Sequence, residues 1–313
     1  MSASVWVLGE ALMDCVAQPD GSLKPLLGGS PFNLACAVAL QGVDVGYLSP
    51  FSTDVFGQQL AAKLAASGAH ALGKPSAKPT SLAVVNIQDG QPSYGFYRDG
   101  VADRDYNADD IVRLLKQHTP GVLHTGSLMA MPPEHHKVMH VIQFAKALGW
   151  TISIDVNLRT RVACDLPAYL QAVNQMAALA DWLKASDEDM QLLGWTDVHW
   201  DNSDALAAQW QAMGCKRVAL TFGAQGASLH IAAVSAQPAV HAKLSAPQVQ
   251  VVDTVGAGDT FWGSCLADWV LHDTLGHDDV AIARLEKTLQ RALKAAAINC
   301  ERVGCQPPAA QEL

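Results

Sequence analysis

The chain has 313 residues, 50% hydrophobic and 16% charged, a balance that suits a single large soluble domain with a sizeable core. A net charge of −9 argues against a nucleic-acid or anionic-membrane partner, so an anionic ligand must be met by local positive potential. The start, MSASVWVLGEALMD, lacks a basic n-region, no apolar run would span a bilayer, and the seven scattered cysteines form no C-x-x-C pair; a cytoplasmic protein with free thiols is expected.

Apolar runs of strand length occur at 5–8, 45–49, 122–125, 151–155, 182–185, 218–222 and 227–231. Helical patterns lie at 31–41, with Pro31 in the first turn and Gly42 placed to stop it, and at 58–67, 135–148, 168–180 and 203–213. This alternation predicts an α/β fold: a mostly parallel sheet with helices on both faces, one domain over 1–313. The stretches 11–27 and 80–97 break the rhythm with shorter, more polar alternation. They predict a small β-sheet lid, formed by about 11–27 and 80–105, over the C-terminal ends of the main sheet, where open α/β folds bind ligands. His136 and His140 share a helix face but lack a third ligand, which favours a solvated surface. The tail, 306–313, reads as a surface extension.

The segment 250–271 is the most informative. An alternating strand is predicted to end at Asp253, followed by the small-residue turn Gly256-Ala257-Gly258. A helix then carries Phe261, Trp262, Cys265, Leu266, Trp269 and Val270 at one-face spacing, which reads as core. Glycines at a helix N-terminus let backbone N–H groups face an anion, and the helix dipole reinforces this. Asp259 lies inside that anion site, where a carboxylate is a poor phosphate ligand but a sensible acceptor for the proton of an attacking hydroxyl. The rival reading is a plain glycine-rich connection with Asp259 as a helix-start residue. G-x-x-x-x-G-K-[ST] is absent, and G-x-G-x-x-G would need a glycine at Phe261. A single glycine, Gly9, follows the first strand, which argues against an NAD-dependent oxidoreductase.

DTVGAGDTF resembles the C-terminal signature of the ribokinase-like (PfkB) carbohydrate kinases. Gly28-Gly29-Ser30-Pro31-Phe32-Asn33-Leu34-Ala35 resembles their N-terminal G-G-x-x-x-N-x-A signature. Asp155-Val156-Asn157-Leu158-Arg159 and Thr221-Phe222-Gly223-Ala224-Gln225-Gly226 follow in family order, so the resemblance spans nearly the whole chain. It implies a nine-stranded or similar sheet with a β-lid, and roles by position. Asp259 would be the base, and the amides of Gly256, Ala257 and Gly258 the anion hole. Asp14, Gly28, Gly29 and Asn33 would hold sugar hydroxyls. Arg159 would stand near the transferred phosphate. Thr221, Gly223 and Gly226 would cover the nucleotide, and Asn299 would line the adenine pocket. Taken as residues alone, Asp14 also reads as a solvated turn acid, Asn33 as a cap of its own helix, and Arg159 as a surface arginine.

The family's N-x-x-E stretch, which helps organise Mg²⁺ and phosphate, departs here: Ser186 replaces Asn and Asp189 replaces Glu. Asp189 would then act on Mg²⁺ through water, with Glu188 as a competitor. The loops around Asp253 and Val255 resemble a monovalent-cation (K⁺) site of some relatives. Phe96-Tyr97-Arg98-Asp99-Gly100-Val101-Ala102-Asp103 resembles the F-Y-R-x-x-x-A-D stretch of bacterial fructokinases, with Phe96 and Arg98 on the sugar side. The resemblance therefore favours ATP-dependent phosphorylation of D-fructose at its 6-hydroxyl. Aminoimidazole riboside, ribose and 2-keto-3-deoxygluconate stay open as substrates, as does a non-catalytic sensor on the same scaffold. The expected partners are the sugar and ATP, with a homodimer formed through the lid.

Overall fold

Runs of Val, Ile, Leu and Ala form strands that are buried along most of their length, as both-faces-covered sheets require. The computed structural model describes residues 4–18, 20–88, 91–133, 135–233, 238–272 and 282–313. The strands are β1 (Val5–Val7), β2 (Leu12–Ala17), β3 (Leu23–Gly28), β4 (Val45–Tyr47), β5 (His70–Ala71), β6 (Ser81–Gln88), β7 (Gln91–Tyr97), β8 (Val122–Gly126), β9 (Thr151–Asp155), β10 (Trp182–Ser186), β11 (Arg217–Thr221), β12 (Ala227–Ile231) and β13 (Val240–Leu244). Among the described residues a nine-stranded sheet has the order β13-β12-β11-β10-β9-β8-β1-β4-β5. Neighbours from β5 to β11 run parallel, and β12 and β13 add an antiparallel edge. The short β5 and the half-polar β13 carry no apolar run that sequence reading could use.

The helices are α1 (Ser30–Ala39), α2 (Val55–Ala66), α3 (Ala108–Lys116), α4 (His135–Ala147), α5 (Leu166–Ala177), α6 (Asp187–Leu192), α7 (Ser203–Ala212), α8 (Ala257–Leu271) and α9 (Ile282–Cys300). Side-chain caps start several of them: Asp54, Asn107 and Asp165 accept hydrogen bonds from first-turn N–H groups of α2, α3 and α5. One face of the sheet packs on α1, α2, α8 and α9 through Phe32, Leu60, Trp262 and Leu289. The other packs on α3 to α7 through Ile111, Val141, Tyr169, Met190 and Trp210. Helix α8 is buried from Asp259 to Val270, the pattern of a central core helix. No described helix is long and apolar enough to cross a membrane.

A second sheet, in the order β3-β2-β6-β7, is built from the two polar stretches predicted to meet as a lid. Its β2–β6 pair is parallel and its β2–β3 and β6–β7 pairs are antiparallel. Residues 19, 89 and 90 of the predicted lid lie outside the described residues. After Tyr97 the chain leaves this sheet and makes a 3₁₀ turn at Ala102–Arg104.

Two expectations need correction. Residues 250–253 are not a strand: Val251 and Val252 are 59% and 55% exposed. Their alternation faces solvent, and the N–H groups of Val252 and Asp253 bond to the Cys300 carbonyl at the end of α9 instead of to a strand. The tail is not an extension either. Pro307 and Pro308 are buried, Ala310 N–H donates to Leu40 O at 3.1 Å, and Lys294 Nζ donates to Leu313 O at 3.1 Å.

Candidate active site

The chain leaves β1 for β4 and β5 on one side and returns through β8 on the other, so strand order reverses at β1. Such a reversal opens a crevice beyond the C-terminal strand ends. Gly9 and Glu10 follow β1 there, Ser127 follows β8, and Asp155 ends β9. Two non-glycine residues at this edge hold positive φ, Ser127 at 53° and Asn157 at 36°, in a region that costs most side chains energy.

The N-terminus of α8 points into this region of the fold with its glycine turn. Gly256 has φ 74°, and a Cβ there would fall 2.2 Å from Cys305 Sγ, so both conformation and space require glycine. Asp259, 7% exposed, lies in the first turn. Ser30 Oγ–H donates to its Oδ1 at 2.7 Å, and Asn33 Nδ2 donates to its Oδ2 at 2.9 Å. Burial pushes the Asp259 carboxyl above the usual carboxylate range, while these two bonds and the charges of Lys184 and Arg159 oppose the shift. A carboxyl held in this way is oriented, and burial makes it a better proton acceptor than a solvated one.

Gly29 begins α1 with φ 109° and supplies no side-chain cap; a Cβ there would lie 2.4 Å from Glu10 O. A Cβ on Gly28 would lie 2.1 Å from Asp14 Oδ2, so glycine lets that carboxylate sit against the backbone. Asp14 is pushed up to about 6 by burial, with Arg159 opposing and Asp259 adding to the shift. Asn33 does not cap its own helix. Its amide nitrogen is spent on Asp259, and its buried Oδ1 has no hydrogen-bond partner in the protein. Arg159 is exposed; its Nη1 donates to Leu158 O at 3.1 Å and its N–H to the Tyr169 hydroxyl at 3.2 Å.

On the lid side, Phe96 is half-buried and packs with Leu12 and Leu128. Arg98 is buried, and its Nη2 donates to Asp103 Oδ2 at 2.8 Å; Ser81 Oγ donates to the other Asp103 oxygen at 2.6 Å. Burial pushes the neighbouring Glu10 carboxyl up to about 7 against the attraction of Arg98.

On the opposite side, Thr221 ends β11 and leads into a turn with Gly223 at φ 53° and Gly226 at φ 133°. A Cβ on Gly226 would fall 2.1 Å from Leu244 O. Asn299 is fully buried. Its Nδ2 donates to Val255 O at 2.8 Å and its Oδ1 accepts Gln306 N–H at 2.8 Å, so the side chain fastens the 253–255 loop to the tail. Asp253 braces the same loop, accepting Val255 N–H at 3.0 Å and Gly304 N–H at 2.8 Å.

Ser186 and Asp189 form a reciprocal capping box at the start of α6. Asp189 Oδ2 accepts the Ser186 N–H and hydroxyl at 2.9 and 2.8 Å, Oδ1 accepts Leu158 N–H at 2.7 Å, and the residue is 5% exposed. Among the described residues no group of three or more His, Cys, Asp or Glu could hold a metal ion. His140 bonds to Asp109 and His136 to Pro133 O, at exposed positions.

Sequence reasoning assigned no role to Lys184. Its Nζ lies 2.9 and 3.0 Å from the two Asp155 oxygens, with side-chain exposures of 5% and 1%. A lysine inside the apolar run Trp182-Leu183-Lys184-Ala185 was the available signal, because a buried ammonium needs a partner.

The family model for pfkB family carbohydrate kinases matches residues 2–312. A fructokinase of Rhizobium leguminosarum bv. trifolii is 32% identical over 280 residues, covering 87% of this chain and 82% of the relative. Among solved structures, a fructokinase from Xylella fastidiosa with bound ATP superposes with a TM-score of 0.80 at 24% identity, covering 99% of this chain and 94% of that one. A Vibrio cholerae O395 fructokinase with fructose, ADP and calcium bound gives 0.79 at 24% identity, covering 97% and 94%. These two likenesses establish the ribokinase-like fold.

Proposed function

The chain belongs to the pfkB family of carbohydrate kinases, and on that footing we propose that it is a fructokinase, moving the γ-phosphoryl group of ATP to the 6-hydroxyl of D-fructose. The observation that carries the reading is Asp259, buried behind the glycine turn of α8 and oriented by Ser30 and Asn33. The F-Y-R stretch at Phe96 and Arg98, and the 32% identical fructokinase, support fructose over the other sugars.

In this proposal the fructose hydroxyl gives its proton to Asp259 as its oxygen attacks the γ-phosphorus in line. A new P–O bond forms, the bond to the ADP oxygen breaks, and ADP leaves with that electron pair. The amides of Gly256, Ala257 and Gly258 face the charge of the transferred group, and Arg159 adds a guanidinium. Asp14, Gly28, Gly29 and Asn33 hold sugar hydroxyls; the unpartnered Asn33 Oδ1 is a ready acceptor for one. Phe96 and Arg98 close the sugar side from the lid. Thr221, Gly223 and Gly226 cover the nucleotide, with Ser186 at the end of β10 and Asn299 acting through the loop it fastens.

Mg²⁺ would offset phosphate charge when bound. Asp189 does not fit as its direct ligand, since both oxygens already accept internal hydrogen bonds. The ATP phosphates would then be its direct ligands, with Asp189 acting on the ion through water. K⁺ beside Asp253 and Val255 belongs to the proposal and is tested by activity in potassium against choline salts. Exposed Leu23 and Tyr97, on edge strands β3 and β7, support a homodimer through the lid, which sedimentation would test.

The deciding experiment measures ATP consumption with fructose, ribose, aminoimidazole riboside and 2-keto-3-deoxygluconate. The proposal expects fructose to give the highest kcat/KM. A higher value for another sugar removes fructose, and no turnover with any sugar favours the non-catalytic sensor.

A further inference from the structure

We propose that Lys184 is a positioning residue for phosphoryl transfer, acting from behind the glycine turn on Gly258 and Asp259 without touching either substrate. This rests on the kinase reading above. Lys184 stands in β10 directly across from Asp155 in β9, in the parallel register of the central sheet. Both side chains are buried, and the ammonium engages both carboxylate oxygens. An ion pair so placed is weak evidence for stability, because desolvation offsets the attraction and an apolar pair of similar size can serve as well. Its location is more informative than its energy.

A Cβ added to Gly258 would meet Lys184 Nζ at 3.3 Å and Cε at 3.5 Å. The cation thus lies against the backbone of the turn that forms the proposed anion hole. The carboxylates of Asp155, Asp189 and Asp259 all act on Lys184; burial disfavours its charge, but together they outweigh that and keep it an ammonium. His124, also buried near it, is held neutral by burial and by this same positive charge. Around Asp259 the charged and titratable neighbours are Lys184 and Arg159 on the favourable side and Asp14, Asp155 and Cys305 on the other. Arg159 is exposed to solvent, whereas Lys184 is not. Lys184 is therefore the less screened of the two positive charges that favour the ionised form of Asp259.

The test compares Lys184→Gln, Lys184→Arg and the double variant Lys184→Gln/Asp155→Asn with wild type. For Lys184→Gln the expected result is a kcat about 100-fold lower, the scale of a lost preorganised charge. The KM values for sugar and ATP should change less than about threefold, and the acid limb of the kcat profile should move up by roughly one pH unit. Lys184→Arg, which keeps the charge, should recover most of the activity and return the limb. The double variant leaves no unpaired buried charge, so it keeps the question open to measurement if the single variant fails to fold. It too lacks the cation against Gly258, so a comparable loss of kcat is expected, while removal of the opposing Asp155 charge should leave the limb less displaced than in Lys184→Gln. A folded double variant with lower thermal stability and wild-type kcat, or a folded Lys184→Gln with wild-type kcat and an unmoved limb, would show a purely structural pair and overturn the inference. Wild-type protein that phosphorylates no sugar would sink the kinase reading instead. In that case the positioning role falls with the kinase reading, whereas sugar turnover by wild type together with the structural outcome above overturns the inference alone.

Discussion

Asn33 Nδ2 donates to Asp259 Oδ2 at 2.9 Å, joining α1 to α8 across 226 positions of the chain. The two glycine signatures are therefore one unit: the residue expected to hold a sugar hydroxyl also orients the proposed base. Asn33→Leu should affect both jobs. It removes one of the hydrogen bonds that favour the ionised Asp259, and removes the unpartnered Oδ1 acceptor. We expect kcat and sugar affinity each to fall about tenfold, on the order of 1–3 kcal/mol per lost interaction, with ATP affinity retained. Steady-state kinetics with both substrates varied would check this. Loss confined to ATP affinity would contradict it.

Arg98 is more deeply committed than a lid contact needs to be. It is 8% exposed and ion-paired with Asp103 while facing Glu10. Arg98→Ala should leave buried acidic groups without their cation and cost roughly 3–5 kcal/mol of stability. Where the variant is folded, sugar KM should rise more than ATP KM. Thermal unfolding and kinetics on the same preparation would test both parts; an unchanged melting temperature would mean that the pair does not hold the lid junction.

Glu10 gives a pH-dependent prediction. Its carboxyl is raised from 4.5 to about 7 in the folded protein, chiefly by burial. The folded state therefore holds the Glu10 proton more tightly than the unfolded state. That stabilisation is complete below about 4.5 and is lost as pH rises through about 7. Glu10→Gln cannot ionise, so its stability relative to wild type should be higher at pH 8 than at pH 5, by roughly 2–3 kcal/mol. Denaturant unfolding at the two pH values measures the difference, and an equal or opposite difference would rule out the raised carboxyl.

Much of the fold was legible because the central strands are short, continuous apolar runs and the helices between them are amphipathic. The turn at Gly256-Ala257-Gly258 was legible because small residues before a buried helix have few other uses. What stayed hidden depends on neighbours distant in sequence. The Lys184–Asp155 pair follows from the register of β9 against β10, which no single sequence states. The alternation at 250–253 resembled a strand, yet Val251 and Val252 face solvent while their loop is tied to Cys300. That both ends of the Asn299 amide fasten the loop at Val255 and the tail at Gln306 was not legible either. The left-handed Asn157 in the Asp155–Arg159 stretch was likewise not foreseen, although asparagine tolerates that conformation better than most residues.

The account turns on Asp259 as the group that takes the hydroxyl proton. Asp259→Asn keeps the shape and can still accept from Asn33 Nδ2, while its new amide can donate to Ser30 Oγ. It removes the base and a negative charge beside the anion hole. The measurement is steady-state turnover of fructose and ATP, with calorimetric binding of both on the same folded preparation. We predict a kcat lower by about 10²–10⁴-fold, the scale for losing a general base, with fructose bound as before and ATP bound as well or slightly more tightly. A folded Asp259→Asn protein with near-wild-type kcat would contradict the account.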